Sequence, residues 1–557
     1  MHYASRIDDM DHLTLILRAN FLTEDHKGIK YIAWNGNNFD AYFVAAALVR
    51  EEDLVLRPYL TRSGSLRGLR VMLREDADNP RAVGWEFLDG IAMLGLVGTN
   101  LDKFTENFAP NYRKMTGVID FEKEEFDCDN ALHCEYAMVD SIGLYHGMTR
   151  AQDILMEEFD QPLAVTMGGA CIKIFKAHIP SDVIVSPLDD KLMDITRDYV
   201  MRGGFCYCVK RYHGPVWKYD INQAYAAAMR DAKLPSGRPM HTENGLHKYA
   251  QVFIARVTAQ HASNIIPFYY RTEQNGRLKS AFSRDRIDGT WITSIEFNQL
   301  KAEGWTIKVH ESYTWEDSFS MRDYVDKLER IRTTCEGGPS GPIGTMAKAV
   351  GNHSYGKTVE QLEPIEFILA DEAPPGWMPY YGNESEPLDH VYYRWIEDED
   401  VRPKDYHQPH IGAFITAHVR MVLRRAALVA PSEWLYADTD CVVFSRDVTA
   451  DLDVDAKRYG AWKIEKSGAE FKIIAKKVYT EIVAPGTLDE KGKPKKPQRS
   501  AKGMNIKRLS DDDFDHWFEG NAPVQHQVQR NNFIKVMRGA EMYRKQERTG
   551  TRIEARV

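Results

Sequence analysis

The chain has 557 residues, with 72 Lys+Arg against 81 Asp+Glu for a formal net charge of −9, and 43% hydrophobic and 11% aromatic residues. That apolar fraction excludes general disorder, and the length predicts three to five domains or subdomains of about 100–200 residues each. There is no run of about 18 apolar residues, so no membrane-spanning helix is expected, and an acidic chain argues at first against a nucleic-acid partner. Met1 to Ala33 has no basic-then-apolar leader, so no signal peptide is expected. The cysteines (128, 134, 171, 206, 208, 335 and 441) are few and odd in number, which suggests a reducing, cytoplasmic setting. Cys206 and Cys208 have strand spacing, not that of a zinc CxxC.

Taken in chain order, Lys30 to Trp34 reads as a strand, Asn35–Asn38 as a polar turn and Phe39 to Val49 as an apolar helix. Residues 131–148 read as a helix. Residues 160–200, broken by Pro162, Gly168, Gly169, Pro180 and Pro187, read as a connection. Val216 to Tyr219 predicts a short strand running into an alanine-rich helix, Asn222 to Arg230. Asp323 to Arg332 and Thr345 to Tyr355 predict two helices joined by a Gly/Pro turn. Glu363 to Asp405 is acidic, proline-rich and aromatic, which suggests an irregular insertion. Ile411 to Val429 predicts a long apolar helix, and Trp434 to Phe444 a β-hairpin. Residues 457–557 hold 23 Lys/Arg and 13 Asp/Glu, a net of +10, behind a body of −19. Such a basic segment is either a solvated surface or a phosphate-gripping element.

Three segments carry candidate chemistry. Asp220 follows a strand and precedes a helix, where it can present a carboxylate at a sheet edge. Asp438 and Asp440 flank Thr439 at the tip of the predicted hairpin, and carboxylates gathered there repel each other unless a hard divalent cation such as Mg²⁺ lies between them. Two such ions about 4 Å apart suit phosphoryl transfer. Lys348, Asn352 and Tyr355 stand at i, i+4 and i+7, on one helix face that could meet a phosphate, a polar edge and a base or sugar, with Gly356 placed to end the helix. Taken singly, these are an N-cap, a solvated turn and a surface face.

Together, in this order and spacing, the three segments resemble motifs A, B and C of family B DNA polymerases. The resemblance holds despite Gln223, Ala224 and Ala226 in the first motif, His353 in the second and Cys441 in the third. None of these departures removes a carboxylate. Lys477-Val-Tyr479 is similar to the Lys-x-Tyr motif that meets the primer terminus. Arg202-Gly203-Gly204 is similar to the Tyr-x-Gly-Gly motif between nuclease and polymerase parts, with Met201 in the aromatic position. The room between motifs resembles the protein-primed branch, whose two insertions contact a terminal protein and encircle the template. The resemblance implies an α+β multidomain fold: a right-hand polymerase preceded by a ribonuclease H-like 3′–5′ exonuclease domain.

The implied division is exonuclease-like 1–185, palm 186–239 and 408–456, first insertion 240–315, fingers 316–362, second insertion 363–407 and thumb 457–557. It implies that Asp220 and Asp438 hold two Mg²⁺, with Mn²⁺ as a substitute, and that Asp440 supports them. Tyr225, Arg332, Lys348, Asn352 and Tyr355 would meet the dNTP, with Tyr225 excluding a 2′-OH. Lys477, Tyr479, Arg202, Gly203, Gly204 and the weaker match Lys502 would meet DNA. The implied partners are primer-template DNA, dNTPs and a terminal protein, for a monomer in the cytoplasm, that of a bacterial host if the protein is phage-encoded.

Asn35, Phe39 and Asp40 resemble the second exonuclease motif, and Tyr136 and Asp140 the third. The first, Asp-x-Glu, does not occur in residues 1–34, where Asp9-Met-Asp11 sits on a predicted amphipathic helix. Two of four expected carboxylates are therefore missing, the nuclease is expected to be weak or absent, and its sheet is expected to show an unpaired edge. Three other readings compete with a DNA polymerase: an idle DNA-binding scaffold, a reverse transcriptase and a primer-independent relative. Intact Asp220, Lys348 and Asp438 oppose the first. Thr439, separating the aspartates, opposes the second.

Overall fold

The fold is seen in a computed structural model that describes residues 10–520 apart from 62–63, 80–81, 116, 120–123, 125, 263–265, 361–364, 382–386, 388, 397–405, 490–491, 505 and 507–508, together with 527–528, 533 and 547–548. Asp9, parts of the 363–407 insertion and most of the chain after residue 520 thus lie outside the described residues.

A central seven-stranded sheet organises the molecule. Its strands, in spatial order, are Arg499–Ala501, Val478–Glu481, Trp462–Ala475, Tyr212–Ile221, Cys441–Phe444, Trp434–Asp438 and Cys206–Cys208, all antiparallel. Because strand side chains alternate between faces, each strand contributes to two cores. Tyr219, Ile221, Ala437, Val442 and Phe444 join the main core with the helices Ala224–Asp231 and Pro409–Val429. Val216, Tyr436, Val443, Phe471 and Ile473 form a smaller cluster on the opposite face. The predicted hairpin is present as Trp434–Asp438 and Cys441–Phe444, and the predicted short strand grows to Tyr212–Ile221 because it is paired on both sides.

A second seven-stranded sheet runs in the order Lys30–Ala33, Trp85–Asp89, Leu66–Leu73, Leu54–Leu60, Ile365–Leu369, Val391–Trp395 and Met378–Pro379. Lys30–Ala33 pairs in parallel with Trp85–Asp89 and is the terminal strand of this sheet among the described residues. The far end corrects the reading of residues 363–407 as irregular. Ile365–Leu369 and Val391–Trp395 form a hairpin that continues this sheet through Leu369 and Leu56. Phe367 and Tyr393 alternate with Glu366 and Arg394, a period-2 pattern masked in the sequence by the prolines between the strands.

A four-stranded antiparallel sheet, Arg286–Thr293, Val252–Gln260, Thr306–Phe319 and Leu234–Thr242 in spatial order, runs through the residues 240–315 read as a first insertion and extends past both of those bounds. Residues 160–200 are more regular than predicted. Met167–Ala177 is a helix capped by Thr166, whose hydroxyl accepts from Gly169 N, and Asp190–Ile195 is another, capped by Asp189. Gly168 and Gly169 lie in the first turn of the former, where a breaker is least costly, and a Cβ on Gly168 would lie 3.4 Å from the Lys357 side chain. The helix predicted over 131–148 extends from Ala131 to Phe159. Among the described residues no helix is long and apolar enough to cross a membrane.

Candidate active site

Register on the central sheet builds the site. Cys206 pairs with Asp438, Asp438 with Cys441, Cys441 with Asp220 and Asp220 with Lys463. Residues in one cross-strand row project to one face, so Asp438 and Asp220 stand two strands apart with the Cys441 thiol between them. Thr439 makes the hairpin tip possible by adopting φ +61°, and its N–H donates to Phe205 O at 2.7 Å. Asp440 follows, its carbonyl accepting from Ile221 N at 2.8 Å, which ties the tip to the Asp220 strand.

The electrostatics are those of unneutralised acids. Burial, then the neighbouring Asp440 and Glu465 charges, pushes the Asp220 carboxyl up to about 7. Burial and the Asp438 charge push Asp440 upward as well. Asp438 is held differently: Lys477 Nζ donates to both its oxygens at 2.7 Å, Tyr436 Oη to one at 3.2 Å and Thr439 Oγ1 to the other at 3.0 Å. Burial disfavours the Lys477 ammonium, but its bonds to Asp438 outweigh that and raise its pKa. Asp220 and Asp440, whose charged forms burial disfavours, share this end of the sheet with Asp438, and the three carboxylates fit a hard divalent cation. The donor set is therefore suited to Mg²⁺.

The remaining predicted residues divide into three groups. Tyr225, on the helix Ala224–Asp231, stacks obliquely on Tyr355 with ring centroids 4.8 Å apart, and burial raises its pKa, with Asp440 and Asp438 close enough to add to the rise. Lys348 and Asn352 are exposed on the helix Pro342–His353, whose Gly351 closes on Gln223 and Ala226. That helix ends at His353, before Tyr355, so Gly356 does not cap it but opens a short turn, Gly356–Val359. Arg332 leans on the Tyr459 hydroxyl. Tyr479 packs beside Tyr436, centroids 5.9 Å apart, and Lys502 N donates to Lys477 O at 3.2 Å, which brings the exposed Lys502 close to Lys477.

Arg202 departs most from expectation. Its side chain is fully buried, ion-paired with Glu296 and bonded to the Tyr269 carbonyl, and so is withheld from any DNA surface. An arginine beside two glycines reads as solvent-facing, and its partner is 94 residues away, so no local signal marks it. Gly203, with φ +69°, offers its carbonyl to Arg420, and Gly204 lies against Thr439.

The exonuclease-like residues are less well assembled. Asp40 opens the helix Asp40–Leu48, and burial, with Asp89 adding, raises its pKa. Asp89, missed in the sequence, has its oxygens taken by Asn37 N, Ile91 N and Ala92 N. Asp140 is ion-paired with Lys114, whose ammonium also donates to Tyr136 Oη at 2.6 Å. Lys114 was likewise not singled out in the sequence. Phe39 is half exposed and packs edge-on against Phe43.

With this geometry established, comparison is informative. Residues 119–374 match the family described as DNA polymerase type B, organellar and viral. The chain is similar to a probable DNA polymerase of Ascobolus immersus, 24% identical over 541 residues, covering 85% of this chain and 42% of that one. It is also similar to the DNA-directed DNA polymerase of Enterobacteria phage PRD1, 24% identical over 404 residues, 71% of this chain and 66% of that one. The chain thus spans less than half the length of the first of these curated relatives. Among solved structures, Phi29 DNA polymerase complexed with primer-template DNA and incoming nucleotide has a TM-score of 0.66 at 19% identity, covering 87% of this chain and 86% of that one. That likeness shows a mixed α+β multidomain fold common to this chain and the phage enzyme.

Proposed function

We propose that this chain is a template-dependent DNA polymerase that adds dNTPs to a 3′-OH, working in protein-primed replication of a phage or linear mobile element. The observation that carries the reading is the cross-strand row holding Asp438 and Asp220, closed by Asp440. In this reading the central sheet is the palm, the helices Arg322–Thr334 and Pro342–His353 are the fingers, and the basic segment after residue 457 is the thumb. The two insertions contact a terminal protein and the product duplex. The match of residues 119–374 to the type B polymerase family and the PRD1 and Phi29 likenesses support it.

Asp220 and Asp438, supported by Asp440, would hold two Mg²⁺, which when bound supply charge stabilisation to an α-phosphate under attack. Lys348, exposed on its helix beside Asn352, offers a cation to the triphosphate. Tyr225, braced by Tyr355, presents a flat wall beside Asp440 that leaves no space for a 2′-OH. Lys477 is positioned to exchange its bonds to Asp438 for the primer terminus, with Tyr479 behind it. The exonuclease-like part is read as weak or inactive, because Asp140 is already occupied by Lys114 and Asp89 by backbone N–H groups.

Primer extension with dNTPs or NTPs, with and without a primer, tests this. The expected outcome is dNTP incorporation that depends on a primer or a priming protein and is abolished by Asp438→Ala while DNA binding persists. Full extension by Asp438→Ala would sink the assignment. Extension on unprimed template without any protein primer would replace protein priming by primer independence.

A further inference from the structure

Three buried charges stand behind the reacting groups. Arg202 and Arg420 both pair with Glu296, and the three side chains are 0, 1 and 0% exposed. Glu296 belongs to the first insertion, on the helix Ser294–Ala302, where a capping box with Thr293 fixes its second oxygen at 3.1 Å from Thr293 N. Arg420 belongs to the long helix Pro409–Val429. Two cations around one carboxylate leave net positive charge in the interior, and apolar residues of similar volume would join these elements at least as well.

The neighbouring pair shows what simple joining looks like. Arg424, one turn on, grips Glu303 at 2.7 and 2.6 Å and donates to Pro267 O at 3.0 Å, and among the described residues these bonds lead to neither Gly203–Phe205 nor Thr439. Arg420 does more. Its Nη1 donates to Gly203 O at 2.8 Å, beside Arg202 on the same strand-entry segment. The next residue, Gly204, is packed so closely that a Cβ there would lie 3.0–3.2 Å from Thr439. Phe205 O accepts from Thr439 N at 2.7 Å, and Thr439 Oγ1 donates to Asp438 at 3.0 Å. An unbroken series of contacts therefore runs from an insertion helix to a metal-binding carboxylate.

We propose that Glu296 and Arg420 are positioning residues for the metal-binding turn, clamping Gly203–Phe205 against Thr439 so that Asp438 and Asp440 are held ready for the cation. The proposal rests on the polymerase reading above. It makes the first insertion a part of the catalytic apparatus as well as a docking surface, since a shift of the Ser294–Ala302 helix is transmitted to the turn.

The test uses the full chain and the variants Glu296→Gln, Arg420→Lys and Arg424→Gln. Two quantities are measured: the Mn²⁺ dissociation constant by electron paramagnetic resonance without DNA, and the Mg²⁺ concentration giving half-maximal extension. Glu296→Gln and Arg420→Lys are expected to raise both by about five- to tenfold, with extension recovering at saturating metal. Arg424→Gln is expected to lower the melting temperature comparably yet leave both within about twofold. Unchanged metal affinity in Glu296→Gln, or an equal loss in Arg424→Gln, overturns the proposal. If Glu296→Gln does not fold, Arg420→Lys, which keeps the charge, decides in the same way. Mn²⁺ binding that survives Asp438→Asn would instead overturn the site reading itself, and the proposal with it.

Discussion

The central sheet and the exonuclease-like part each carry aspartates predicted to be functional, and in each a lysine is paired with one of them: Lys477 with Asp438, and Lys114 with Asp140 on the helix Ala131–Phe159. They differ in what remains. With Asp438 stand Asp440, at the same turn, and Asp220, two strands away across Cys441, with no cation strong enough to keep Asp220 from being pushed up to about 7. Beside Asp40 stands Asp89, whose oxygens already serve as a helix cap. Acidic residues in a cleft make a metal site only where their oxygens are not committed to backbone donors or ammonium groups, and by that criterion the two regions are unequal.

The most severe way to break the comparison is to delete one carboxylate from each region. Asp220→Ala should lower single-turnover dNTP incorporation by at least about a thousandfold, and Asp140→Ala should leave it within about twofold. Comparable losses in both would show that the regions act as one site. Next come the lysines. Lys477→Ala should reduce extension by about tenfold while tightening Mn²⁺ binding in the DNA-free chain, because it removes a competing cation, whereas Lys114→Ala should change neither. Weaker Mn²⁺ binding in Lys477→Ala would refute competition.

A third measurement uses stability against pH in EDTA. Asp220 has a higher pKa folded than its unfolded value of about 3.9, so its contribution is full below about pH 4 and is lost as pH rises to about 7. Asp220→Asn should therefore stabilise the metal-free chain by about 1–2 kcal/mol at pH 8, allowing for solvent screening, and leave it unchanged at pH 4. The smallest effect is expected from Asp40→Asn, whose shift has the same direction and the same leading cause, burial. A larger gain there than at Asp220, read from the same melting curves, would reverse the ranking of the two sites.

Legibility followed the range of the interactions. The placement of Asp220, Asp438 and Asp440 at one end of the central sheet was readable because strand, turn and helix signals lie within a few residues of each. The helix Pro409–Val429 was readable from its own apolar pattern, and was found two residues longer at its start than predicted. The contacts that decide the role of a side chain were not readable. Arg202 became a buried ion through Glu296, and Lys477 acquired Asp438, 39 residues away. The basic C-terminal segment shows the same limit. Lys466 and Lys495 are paired with Glu481, Lys472 with Asp515 and Arg499 with Asp511. Charge counted along a segment overstated what is offered to a phosphate there.

The segment carrying Ile365–Leu369, Met378–Pro379 and Val391–Trp395 extends a sheet whose four other strands lie before residue 90, and Arg74 donates to Glu372 O across 298 residues of sequence. On a translating ribosome adding about 5–20 residues per second, the strand Leu54–Leu60 must wait on the order of 15 to 60 s for its neighbour. During that interval its edge is an open template for pairing with a second nascent chain. Slower elongation across residues 90–360 should therefore lower the soluble yield, and supplying residues 365–395 in trans should recover part of it.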